Sequence, residues 1–262
     1  MFHNWLQIGL TLLIGLLISI PTGRYLAKVV TGGRTVVDWV FDPFDNFLYS
    51  VIGRRVCTQT MDWKSYSLHM LATNLVMAIL IFLILVLQDS LPLNQRHLAG
   101  MDPVLAFNTA ISFITNTDWQ AYGGETTLSN FSQMAAITFP MFTSATTGFV
   151  VAMAFIRAFT IRDGSTNLGN FYRDFIRFTT RVLLPVSFVL ALVMVQQGEP
   201  QTLAPDVVAH TPLGTDQTIS LGPVASLETI KHLGTNGGGF FNANAAHPFE
   251  IRRRSQTSSR HC

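Results

Sequence analysis

The chain has 262 residues, 48% of them hydrophobic and only 12% charged, with a net charge of +2. Soluble domains carry about a quarter of their residues as charges, so this balance points to a bilayer, and so small a net charge makes no case for a nucleic-acid partner. Cys57 and Cys262 lie far apart without C-x-x-C spacing, which leaves zinc and redox chemistry unsupported and reads as two unrelated thiols.

The first apolar run, Trp5 to Ile20, ends near Pro21 and has neither a basic flank before it nor a clear cleavage site after it. It reads as a retained helix, short against the roughly 17-residue minimum of a span. Leu68 to Leu87 is a second span with no charged residue. After it, Asp102 caps and Pro103 opens a short helix over 103–113, too short to cross a membrane but long enough to enter it. The third span, Leu128 to Ala158, contains small residues suited to close helix contact and Pro140, which predicts a kink. The fourth runs from Val182 to Val195 and draws on the preceding Arg-flanked turn for its full length. In the second span His69 reads as a hydrogen-bonding residue of the bundle interior.

Arg24, Lys28, Arg34, Arg54, Arg55 and Lys64 lie between the first two spans, and Arg157, Arg162, Arg173, Arg177 and Arg181 between the last two. The other connections hold only Arg96 and Lys231. The positive-inside rule therefore predicts a cytoplasmic side for the basic segments, an external N-terminus, and external segments at 88–127 and 197–250.

Both external segments carry one pattern. Pro103 and Pro223, Thr109 and Thr229, Thr115 and Thr235, and Asn116 and Asn236 pair at a single ungapped offset. In the second copy Pro223 opens the helix and Gly234 ends it, so each copy predicts a helix followed by a Thr-Asn turn, dipping back between spans as a re-entrant loop. A helix C-terminus aimed inward presents negative partial charge, and the turn after it can replace the hydration shell of a cation with carbonyl oxygens. Thr115-Asn116-Thr117 and Thr235-Asn236-Gly237-Gly238-Gly239 supply those carbonyls, with glycines free to take positive φ. Hard oxygen ligands favour an alkali or alkaline-earth cation, and Asp118 and Glu125 are expected to draw cations to the mouth. Alone, a glycine run is a linker and a Thr-Asn pair a common turn; their recurrence at one offset separates these from chance.

The string Ser112-Phe113-Ile114-Thr115-Asn116-Thr117-Asp118-Trp119-Gln120, the string Leu233-Gly234-Thr235-Asn236-Gly237-Gly238-Gly239-Phe240-Phe241-Asn242-Ala243-Asn244 and His247-Pro248-Phe249-Glu250 resemble the two first pore loops of the potassium-binding A subunit of the Kdp potassium-transporting P-type ATPase. The resemblance implies an all-α integral membrane fold of span–pore-helix–span repeats, related to potassium channels, in the bacterial cytoplasmic (inner) membrane. It implies a potassium ion held by Thr115, Asn116, Thr117 and Gln120 in the first loop and by Thr235, Asn236 and Gly237 in the second. It also implies membrane lipid, two accessory subunits and a separate P-type, ATP-hydrolysing pump subunit as partners. Neither a Walker-type string nor Asp-Lys-Thr-Gly occurs here, as a non-hydrolytic subunit requires. The division that follows is 1–66, N-terminal span and cytoplasmic loop; 67–160, a complete repeat; 161–250, an incomplete second repeat; and 251–262, an atypical basic tail. The tail departs from the family pattern and suggests a truncated or frameshifted product. A passive or ion-coupled potassium channel or symporter, and an inactive fragment, remain the competing expectations.

Overall fold

The computed structural model describes residues 2–160, 166–212 and 214–250. Arg162, Cys262 and the basic tail therefore lie outside the described residues.

Among the described residues, four helices are long and apolar enough to cross a membrane: Phe2–Val30, Trp63–Val86, Asn130–Thr160 and Phe171–Gln197. The first runs on through Pro21 for a further nine residues past the expected end. The fourth begins well before Val182, because Asn170 caps it by accepting from the Arg173 N–H at 3.0 Å. Arg173, Arg177 and Arg181 consequently lie on the fourth span itself rather than in a loop. The first span exposes Leu12, Leu13, Leu16 and Leu17 and docks only by its end, where Val29 is buried and Tyr25 Oη donates to the Arg181 carbonyl at 2.7 Å.

Two prolines inside spans share one solution. A proline ring collides with the carbonyl four residues earlier in a regular α-helix. Here Gln133–Thr138 and Thr179–Leu183 are π-helical and sit just ahead of Pro140 and Pro185. The wider turn makes room for the ring. Thr138 Oγ1 adds a bond of 2.9 Å to the Gln133 carbonyl.

Between the first two spans an unexpected helix, Asp38–Ile52, aligns Asp38, Asp42 and Asp45 towards the wholly buried side chain of Arg181, at 2.9, 2.5 and 2.5 Å. Nearby, Arg157 pairs with Asp174, which also accepts from Tyr66 Oη at 3.2 Å. After the fourth span, the antiparallel hairpin Val207–His210 with Asp216–Ile219 adds two strands to the otherwise helical architecture.

Two short helices position the site. Pro103–Ile114 starts beside the end of the second span, where the Met101 N–H donates to the Leu85 carbonyl at 3.0 Å, and runs back along it. Asp102 caps it by accepting from the Val104 and Leu105 N–H groups. Val224–Leu233, opened by Pro223, starts beside the end of the fourth span, with the Ala225 N–H on the Pro200 carbonyl at 3.0 Å. The core gathers where these helices meet the third span, around Phe113, Ile137, Met141, Leu227, Ile230, Phe240 and Phe241.

Candidate functional site

Both short helices end against the midpoint of the third span. Ser144 Oγ donates to Asn116 Oδ1 at 2.8 Å, and a side chain on Gly234 would lie 3.0 Å from the Ala145 methyl group. The two helices, of 12 and 10 residues, are about 18 and about 15 Å long. The two C-termini thus bring their negative dipole ends to one level.

The turns that follow are bonded to each other. Asn236 Nδ2 donates to Asn116 Oδ1 at 2.5 Å and to Asp118 Oδ2 at 3.0 Å. The Gly237 N–H donates to the same Asp118 oxygen at 3.3 Å. Farther along, Gln120 bonds Gly239 twice: Oε1 accepts from the Gly239 N–H at 2.8 Å and Nε2 donates to its carbonyl at 3.0 Å. Gln133, inside the π-helical turn, donates to the Phe240 carbonyl at 3.2 Å. Asn116, Gln120, Asn236 and Gly237 are therefore gathered into one inter-loop network. Thr115, Thr117 and Thr235 lie on its exposed face, with the hydroxyls of Thr115 and Thr117 2.9 Å apart.

The backbone is strained at this point. Asn116, Asp118 and Thr235 take φ of 59°, 56° and 55°, a region costly for residues with a side chain. Of the three consecutive glycines only Gly238 adopts positive φ, 66°, so the conformational freedom expected of all three is used at one. Asp118 and Gly238 are equivalent by the repeat and share that conformation.

Asp118 is not at the mouth: it is 2% exposed, and its Oδ2 accepts from Asn236 Nδ2 and from the Gly237 N–H. Glu125 is likewise engaged, its Oε2 accepting from the Asn242 N–H at 2.6 Å. Buried Asp118 thus holds the second loop to the first instead of standing at the mouth, while Glu125 is half-buried and bonds the second loop through one oxygen. Ser144 was legible only as a small residue of the third span; the signal for its role was a hydroxyl pair, Thr143-Ser144, in an apolar run.

A family model described as "Potassium-transporting ATPase A subunit" matches residues 9–255. Three curated relatives are each named "Potassium-transporting ATPase potassium-binding subunit". The one from Allorhizobium ampelinum is 51% identical over 248 residues, covering 95% of this chain and 43% of the relative. That from Alicyclobacillus acidocaldarius is 50% identical over 230 residues, covering 88% and 41%. That from Clostridium acetobutylicum is 49% identical over 245 residues, covering 94% and 43%. The chain thus spans less than half the length of the relatives it matches.

Proposed function

The chain belongs to the family of potassium-transporting ATPase A subunits, and on that premise we propose that it carries potassium-binding loops of an ATP-driven importer. The observation that supports this most directly is the junction of the two turns, where Asn236 Nδ2 bonds both Asn116 and Asp118 midway along the third span. Two helix ends and two oxygen-rich turns meet beside the middle of the third span, and such an arrangement suits a dehydrated cation.

In this reading Pro103–Ile114 and Val224–Leu233 are pore helices. Residues 67–160 form a span–pore-helix–span repeat and 161–250 part of a second. Potassium enters from the external side, sheds water and is coordinated by oxygens of Thr115, Asn116, Thr117, Gln120, Thr235, Asn236 and Gly237. The asparagine amides and Gln120 spend side-chain groups on the inter-loop bonds, so backbone carbonyls and threonine hydroxyls supply the cage. The ion then passes to a separate P-type pump subunit, with two accessory subunits completing the complex in the bacterial cytoplasmic membrane. A filter of four-fold symmetry takes two more loops than these.

Potassium-limited growth tests the proposal. A strain lacking its uptake systems is given the partner subunits with either this chain or a chain of its relatives' full length carrying these residues. Rescue by the full-length chain, lost when ATP hydrolysis by the pump subunit is blocked, is the expected result. Absence of rescue, or rescue indifferent to ATP hydrolysis, would overturn it.

A further inference from the structure

Behind the second turn lies a charge pair that has no counterpart behind the first. Lys231, 5% exposed, and Glu228, 1% exposed, lie one turn apart on Val224–Leu233 and pair at 2.6 Å. The repeat offset places Ile111 and Asn108 at the equivalent positions of the first short helix. An ammonium buried this deeply persists only where its donors are matched. The second partner of Lys231 is Asn244, whose Oδ1 accepts from Nζ at 2.7 Å. Asn244 holds a left-handed backbone, φ 52°, and its Oδ1 lies 3.1 Å from where a side chain on Gly239 would begin. At the other end of the same strand the Asn236 N–H donates to the Lys231 carbonyl at 3.0 Å. Lys231 therefore meets the strand 236–239 at both ends: its carbonyl bonds the start, and its ammonium holds Asn244, which lies against Gly239 at the finish.

The surrounding charges are compatible with this. Glu199, Glu250 and His232 also face the pair, His232 Nε2 lying 3.7 Å from Glu228. Burial first, with Glu228 next, pushes Glu250 up to about 8 and Glu199 up to about 7. The carboxyls are not arranged as a metal site among the described residues.

We propose that Lys231 is a positioning residue for the second filter strand, setting the spacing of the oxygens between Asn236 and Gly239 through its carbonyl and through Asn244. The inference rests on the potassium-filter reading above. It is tested in the assembled transporter with the full-length chain, by the half-saturation and maximal rate of potassium-stimulated ATP hydrolysis. Asn244→Ala removes the relay and leaves the Lys231–Glu228 pair intact. The double variant Glu228→Gln with Lys231→Met removes both charges without orphaning either, which guards against misfolding. Each is expected to raise the half-saturating potassium concentration about tenfold, the scale of a lost charge-assisted hydrogen bond, with little change in maximal rate. Lys231→Arg, which keeps the cation, is expected to recover most of the affinity. If potassium stimulates the unaltered transporter but the variants keep its half-saturation, or lose rate and affinity in parallel, the positioning role is rejected. If potassium does not stimulate the unaltered transporter, the filter reading itself falls.

Discussion

Gly237 and Gly238 are neighbours in one turn, yet a side chain meets different obstacles at each. At Gly238 the positive φ of 66° strains any side chain, and a Cβ would press on the Asp118 carbonyl and Phe113 ring at 3.2 Å, closer than an ordinary contact. At Gly237 the nearest atoms, on Asp118 and Thr117, stand at an ordinary 3.5 Å. Gly237→Ala is therefore expected to keep potassium preference, whereas Gly237→Asp sets a second carboxylate against Asp118 and weakens discrimination against sodium. Competition between the two ions in the full-length complex checks this; an unchanged preference in Gly237→Asp would sink the assignment of that residue to the filter. Asn116 and Asn236 were legible because the repeat singles them out. Asp118 was not: a carboxylate after an apolar helix reads as solvated, and only the second loop folding back over it makes it buried.

The element that escaped the sequence reading most completely is the helix Asp38–Ile52. Its acidic residues at 38, 42 and 45 fall on one face, a helical spacing overshadowed by the surrounding arginines that fix the charge count. Its partner is Arg181, whose side chain is 0% exposed and meets all three carboxylates. Removing that guanidinium strands buried charge. Arg181→Met is expected to cost about 3–5 kcal/mol, the usual scale for breaking a buried pair from one side. Asp42, whose side chain is 57% exposed, holds the outermost bond, and Asp42→Asn is expected to cost no more than about 1 kcal/mol. Thermal unfolding in detergent, with proteolysis between residues 31 and 37 as a second readout, separates the two. Equal losses would mean the triad does not anchor this helix. The four spans were legible from hydropathy alone, but their bounds were not, because polar caps such as Asn170 extend a helix beyond its apolar run.

For the molecule as a whole, the distribution of arginine and lysine predicts which end of each span meets the cytoplasm. Single cysteines at Thr60 and Thr215, in a cysteine-free background, are expected to react with a membrane-impermeant reagent from opposite sides, Thr215→Cys from outside. Labelling of both from one side would reverse or dissolve the topology. The hairpin carrying Thr215 was invisible beforehand, since its strands of four residues each alternate too briefly to show a period. The π-helical turn Gln133–Thr138 reaches furthest in its effect on this architecture. An extra residue in a helical turn advances the angular phase of everything after it by about 100°. Ser144 and Ala145 lie downstream of that advance, and they are the residues against which both short helices come to rest. Without the wider turn the third span would present a different meridian to the loops, so the azimuth of the whole site is set before the chain reaches it.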